Sequence, residues 1–422
     1  MTPVIICGAD LNQPDFDYTM QELANLAEAC NMEVRDTVIQ KLERPVSASY
    51  VGRGKAEEIK TRGKIHDAGI LIVNDELTPM QIRNLGDLTG MKIIDRTALI
   101  LEIFASRARS REARLQVQIA QLRISLPRLH TDNENVKLDQ QTGGGGGSFN
   151  SRGGGETKLE KDRRVIGKRI SILKKELKDI EERQNVTRKK RDASGLRSVA
   201  LVGYTNAGKS TTMNGLLKAC GKDTDKQVLE KDMLFATLDT SVRRLHFKDN
   251  RDFLISDTVG FVSHLPHQLV QAFKSTLSEA ARADLLVQVI DVSDPNYREM
   301  IKTTETTLRE IGVESIPMIY AFNKADLTEA PYPEILGNQI TYSAKDPASI
   351  GKLVELIREN IFKDDRIVTF KIPFSEGRYL DELNVNGTVL ETNYEEDGTV
   401  VSANVSPELH SRLSRFEIHQ PN

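Results

Sequence analysis

At 422 residues the chain is too long for one ordinary hydrophobic core and points to two to four domains. Its formal net charge is only −3, so overall charge argues neither for nor against a nucleic-acid partner. Cys7, Cys30 and Cys220 lie far apart with no C-x-x-C spacing, which excludes a cysteine-rich zinc module and fits a reducing compartment. No apolar run nears the roughly 18 residues of a membrane span and no signal-peptide pattern opens the chain, so a cytoplasmic protein with no membrane span is expected.

From the first residues to about 97, short apolar runs alternate with helix-like stretches. Pro3 to Cys7, Val34 to Ile39, Gly69 to Val73 and Lys92 to Ile94 read as strands, and 17–31, 54–68 and Thr78 to Leu88 as helices. The alternation predicts a small α/β domain over 1–97 with a mostly parallel sheet. Val51-Gly52-Arg53-Gly54-Lys55 invites a reading as a phosphate loop. It lacks the G-x-x-x-x-G-K spacing, and a turn leading into a helix explains its glycines.

From about 99 to 128 the pattern becomes helical, with Leu115, Ile119, Leu122 and Leu126 on one stripe. A second helix is expected over 156–191, where Ile166, Ile170, Leu173, Leu177 and Ile180 repeat in the same way. Two such helices should pack as an antiparallel hairpin occupying 98–195. Over 156–191 there are 14 Lys and Arg against 7 Asp and Glu. That excess, in a chain of slightly negative charge, points to a phosphate backbone. The connecting loop, 143–155, is mostly glycine with Phe149 and Arg152 in its middle. Composition reads it as a flexible linker, whereas an aromatic beside an arginine suits an RNA crevice; both readings stand.

The G-x-x-x-x-G-K-S motif Gly203-Tyr204-Thr205-Asn206-Ala207-Gly208-Lys209-Ser210 follows the apolar run Ser198 to Val202 and leads through Thr211 into a helical stretch. Its glycines let backbone N–H groups turn toward phosphates, Lys209 brings a cation, and the Ser210 hydroxyl offers a ligand to Mg²⁺. Asp257-Thr258-Val259-Gly260 closes a second apolar run, placing a carboxylate near the metal and the Gly260 N–H toward a γ-phosphate. Asn323-Lys324-Ala325-Asp326 closes a third. The Asp326 carboxylate accepts from both N1–H and the amine of guanine, a donor pair that adenine lacks. Ser343-Ala344-Lys345 suits the loop that meets the base carbonyl. Four elements in this order predict a GTPase with GTP or GDP bound over 196–364.

Between the phosphate loop and Asp257, Phe235-Ala236-Thr237-Leu238-Asp239-Thr240 sits where a first switch belongs, and Thr237 is the candidate second protein ligand to Mg²⁺. The candidate metal set is therefore Ser210, Thr237 and Asp257, and the candidate catalytic positions are Lys209, Thr237, Gly260 and Phe261. Phe261 stands directly after Gly260, where Ras-type enzymes place a water-orienting glutamine. A phenyl ring cannot do that work, so slow intrinsic turnover and acceleration by a partner are expected. His264 and His267 offer polar groups nearby, and Asn206 is a candidate for seating K⁺. From 365 to 422, strand, helix, hairpin and helix signals predict a small α+β domain, with 5 Lys and Arg against 9 Asp and Glu over 366–422, which disfavours nucleic acid as its partner.

The chain resembles the HflX family of bacterial ribosome-associated GTPases. The resemblance is carried by Val51 to Lys55, by Arg114 to Leu122 with Leu126-Pro127-Arg128-Leu129, and by the glycine loop with Gly155-Glu156-Thr157 and Asp162-Arg163-Arg164. Gly203 to Ser210, Phe235 to Asp239 and His264-Leu265-Pro266-His267 complete it. It covers most of the chain, although the glycine run here is expanded. The resemblance implies docking on the large ribosomal subunit and its rRNA through the hairpin, GTPase stimulation there, and splitting of stalled ribosomes under stress. It also implies a hydrophobic residue, here Phe261, in place of the catalytic glutamine. The expected fold is α/β: a doubly wound, mostly parallel P-loop GTPase domain between a small α/β domain with a coiled-coil-like hairpin and a small α+β domain. A monomer without a DNA partner is expected. The competing functions are a subunit assembly factor and a GTP-timed protein scaffold, the latter having no need of so basic a helix.

Overall fold

The computed structural model describes residues 1–132, 158–192, 196–220, 241–247, 251–258, 260–263, 269, 280–313 and 315–418. The glycine loop with Phe149 and Arg152, the 235–240 segment with Thr237, and Val259, His264 and His267 therefore lie outside the described residues. The chain forms two compact units, one centred on Met1–Glu182 and the other on Arg183–Lys231, Thr240–Val262 and Thr276–Asn422.

In the first unit, β1 (Thr2–Asp10) is paired in parallel with β2 (Met32–Lys41) and β3 (Ile70–Val73), and β4 (Lys92–Asp95) closes the sheet in the order β2-β1-β3-β4. The crossovers carry helices α1 (Phe16–Ala29), α2 (Arg53–Ile65) and α3 (Pro79–Thr89). This is the parallel α/β arrangement that the alternation predicts. Local signals explain the ends of α3: Thr78 and Gln81 form a capping box, Pro79 fills the first turn, and Gly90 closes the helix with φ +72°. The glycines at 52 and 54 belong to the entry of α2, as the turn reading expects, with Gly52 as its N-cap.

The helical stretch read as one run from about 99 is two helices, α4 (Arg96–Arg107) and α5 (Arg111–Asp132). Ala108 is extended, and the Ser110 hydroxyl accepts from the Ala113 N–H at 3.0 Å. A serine cap ended the helical period where apolar spacing alone saw continuity. On α6 (Lys158–Asp192), Leu173 is buried with Leu115 and Ile119, and Leu122, Ile170, Leu177 and Ile180 pack beside them. The apolar seam thus faces inward as the periodicity requires. Lys161, Arg163, Arg164, Lys168, Arg169, Lys174, Lys175 and Lys178 are exposed.

The second unit holds a seven-stranded sheet in the order β10-β11-β9-β8-β5-β7-β6. Its parallel members are β5 (Arg197–Val202), β7 (Asp252–Asp257), β8 (Leu285–Asp291), β9 (Met318–Asn323) and β11 (Gln339–Thr341). The antiparallel strands β6 (Ser241–His246) and β10 (Glu334–Leu336) form its two edges. Helices α7 (Lys209–Cys220), α8 (Tyr297–Glu310) and α9 (Pro347–Ile361) join the strands. Val199, Leu201, Phe253, Ile255, Leu285, Val287 and Ile319 are fully buried in the core, as near-continuous apolar strands in a parallel sheet should be. The last segment forms the antiparallel sheet β12-β14-β13 from β12 (Arg366–Pro373), β13 (Thr388–Glu395) and β14 (Gly398–Val405). Helices α10 (Arg378–Asn386) and α11 (Pro407–Leu413) bury Leu383, Leu409 and Leu413 with Phe370, Val401 and Ala403. No described helix is long and apolar enough to cross a membrane.

Candidate nucleotide site

Strand β5 ends at Val202 and the chain turns through 203–208 into α7, so the loop opens at the carboxyl end of the parallel strands, where α/β sheets bind ligands. Two glycines are required by geometry. Gly203 has φ +142°, and a Cβ there would sit 2.2 Å from the Val289 carbonyl oxygen. Gly208 has φ +93°, and its Cβ would meet the Asn323 amide nitrogen at 2.2 Å. Asn206 takes a left-handed φ of +60°, a conformation that asparagine tolerates.

The four motifs meet here. The Ser210 hydroxyl donates to Asp257 Oδ2 at 3.3 Å, and Asp257 is fully buried. Thr258 donates to the Leu201 carbonyl at 2.7 Å, pinning the strand end that carries Asp257. Gly260 leaves no room for a side chain, since a Cβ would lie 2.8 Å from Thr205 Cγ2 and 3.0 Å from Lys209 Nζ. Phe261 is buried, its N–H donating to Gly203 O at 3.1 Å and its carbonyl accepting from Thr205 N–H at 2.8 Å. On the other side, Asn323 donates through its amide to Ala207 O at 2.8 Å and accepts from the Ala344 N–H at 2.9 Å. The Ser343 hydroxyl donates to Asp326 Oδ1 at 2.7 Å and its oxygen accepts from Lys345 N–H at 3.4 Å, while Lys324 pairs with Asp291 at 2.6 Å.

Compared along its whole length, the chain is 43% identical to the GTPase HflX of Caldanaerobacter subterraneus subsp. tengcongensis over 413 residues, 98% of this chain and 93% of that protein. The chain belongs to the HflX family of GTPases. The HflX protein of Escherichia coli K12 is 38% identical over 387 residues, 90% of this chain and 88% of that protein. Three family descriptions match in order: GTP-binding GTPase N-terminal at 17–105, GTP-binding GTPase middle region at 107–191, and 50S ribosome-binding GTPase at 198–324. A crystal structure of a GTP-binding protein from Sulfolobus solfataricus in complex with GDP is 25% identical, covers 86% of this chain and 99% of its own, and superposes with a TM-score of 0.44.

Electrostatics in this HflX-family site follow from burial. Lys209 is 7% exposed, and its ammonium donates to Gly203 O at 3.0 Å and Tyr204 O at 2.7 Å. Desolvation pushes its pKa from 10.5 down to about 8, and the Asp257 carboxylate pulls it partly back. Ser210 and Asp257 together present hard oxygen donors at the phosphate end of the loop, a set that fits Mg²⁺ completed by phosphate oxygens and water. Among the described residues no cluster of three or more His, Cys, Asp or Glu side chains offers a competing metal site.

Two contributions escaped the sequence reading. Tyr342 is fully buried and its hydroxyl lies 2.6 Å from Thr212 Oγ1 on α7, with burial raising its pKa above the usual phenol range. Asn323 acts as a strut between two loops, joining the Ala207 carbonyl to the Ala344 N–H. The asparagine was visible in its motif; nothing in the residues around Tyr342 advertises a partner 130 positions away.

Proposed function

We propose that this GTPase is a nucleotide-controlled switch that docks on the large ribosomal subunit through rRNA, hydrolyses GTP faster there, and separates subunits of stalled or idle ribosomes under stress such as heat. The observation that carries the reading is the outward basic face of α6, with Lys161, Arg163, Arg164, Lys168 and Arg169 exposed over a helix whose apolar seam is used internally. Membership of residues 198–324 in a family of 50S ribosome-binding GTPases supports the same partner. Residues 1–97, 98–195, 196–364 and 365–422 act as domains in this reading, in a cytoplasmic monomer that spends part of its cycle on ribosomes.

The loop N–H groups of Tyr204 to Thr211 and the Lys209 ammonium hold the phosphates. Gly260 brings its N–H toward the γ-phosphate, and Asp326 with the Ser343–Lys345 loop selects guanine. Ser210, Thr237 and Asp257 would hold Mg²⁺, which when bound neutralises charge on the β and γ oxygens. Asn206 would seat K⁺ beside them; equal turnover in K⁺ and Na⁺ removes that role. Phe261 excludes bulk water without orienting the attacking one, so the ribosome has to complete the site. Co-sedimentation with large subunits tests the docking surface. Replacing Arg163 and Arg164 by Gln should weaken docking and lower the slope of log affinity against log salt by roughly 2, with basal hydrolysis unchanged. Binding that ignores both changes contradicts an rRNA contact by α6.

A further inference from the structure

A second cleft, of about 290 Å³, lies between the floor of the seven-stranded sheet and the C-terminal segment. Arg197 opens β5 and Asp252 opens β7, so the cleft sits one strand length, about 20 Å, from the phosphate loop at the opposite end of the same strands. One wall is cationic: Arg197, Arg244 and Arg251 line it, facing two lining carboxylates, Asp252 and Asp365. Arg244 pairs with Asp252, Arg197 reaches Asp284 at 3.7 Å, and Arg251 reaches Asp365 at 3.5 Å while stacking over the Phe362 ring at 4.1 Å. The other wall, from the end of α10 with β13 and β14, is uncharged, with Asn384, Asn386, Thr388, Asn404 and Ser406 beside Val385 and Val389.

Asp365 Oδ1, Thr388 Oγ1 and Asn404 Oδ1 are buried without a hydrogen-bond partner among the described residues, and all three residues line this cleft. The Asp365 side chain is 7% exposed, so its unmatched oxygen is costly to leave dry. Asp365 Oδ1 and Asn404 Oδ1 can only accept and call for N–H or O–H donors from an occupant, whereas the Thr388 hydroxyl can accept or donate. The long ion pairs of Arg251 and Arg197, at 3.5 Å and 3.7 Å, leave guanidinium N–H capacity that suits an anion. The volume is at the lower end of small-molecule sites. We propose that the cleft binds a purine nucleoside monophosphate, its phosphate on the Arg197–Arg251 side and its ring and ribose donors on Asp365, Thr388 and Asn404. A carboxylate opposite the ring favours guanine, whose N1–H and amine suit it as they suit Asp326.

Calorimetric titration of GMP into the full chain already saturated with GDP and Mg²⁺ tests this. One additional site is expected, weakened at least tenfold by Asn404→Leu and by Arg251→Ala, with AMP weaker than GMP. GDP affinity measured on the same variants should be unchanged and reports that they are folded. Absence of a second site at millimolar GMP overturns the proposal and leaves solvent as the occupant. Equal binding of inorganic phosphate overturns the nucleotide in favour of a plain anion site, and variants that bind GMP normally place the ligand elsewhere.

Discussion

The side-chain amide of Asn323 donates to the Ala207 carbonyl at 2.8 Å, so the residue that opens the Asn323-Lys324-Ala325-Asp326 motif also braces the phosphate loop. Its oxygen accepts from Ala344 N–H at 2.9 Å, and one side chain thereby fixes the spacing between the 203–210 and 343–345 loops. Asn323→Ala strands two buried backbone groups at a cost of about 1–3 kcal/mol. GTP and GDP affinity should fall by roughly 10- to 100-fold, read from displacement of a fluorescent GDP analogue. An unchanged affinity would mean that the loops hold their spacing without the strut.

Asp326→Asn should exchange guanine for xanthine selectivity, because an amide donor opposes the guanine amine and matches the xanthine oxygen. A loss of about 3 kcal/mol in charge-assisted hydrogen bonding corresponds to roughly 100-fold weaker GTP binding. Competition between GTP and XTP measures it, and retained GTP preference would remove Asp326 from base recognition.

Lys209 gives a pH signature in protein stripped of nucleotide and metal. Its folded pKa, about 8, lies below its ordinary 10.5. Between those values the unfolded chain binds more protons than the folded one, so stability should rise with pH from about 8 to 10.5, by an amount on the order of 3 kcal/mol. Below pH 8 the penalty of a buried cation is fully present. Urea unfolding of the wild type and Lys209→Met at pH 7 and 9.5 separates this from other groups, since the variant should lack the rise.

Tyr342→Phe removes the contact with Thr212 while the Thr212 hydroxyl keeps its bond to Gly208 O at 3.0 Å. A cost of about 1 kcal/mol, or a Tm lower by about 2–4 °C, is expected with nucleotide affinity little changed. A large loss of affinity would make the tyrosine part of the binding machinery.

Local chemistry made much of this legible in the sequence. Alternating apolar runs predicted the parallel sheets, and the spacing of Gly203, Gly208 and Lys209 predicted the glycine-rich turn from a strand into a helix. The Glu396-Asp397-Gly398 turn correctly joins β13 to β14. The rest depended on contacts distant in sequence. The Asn323 strut and the Tyr342–Thr212 pair exist only after β9 and β11 are brought beside α7. The short edge strand β10 pairs through Glu334, Ile335 and Leu336, too few residues for a period to show. The break before α5 was written in Ser110, but apolar spacing on both sides outweighed it.

The central claim, a GTPase completed by the large ribosomal subunit, is tested most directly by GTP turnover of the purified protein alone and with large subunits, small subunits or bare tRNA. Slow turnover alone and strong acceleration by large subunits only is the predicted result. Fast turnover by the isolated protein, or no acceleration by large subunits, would contradict it.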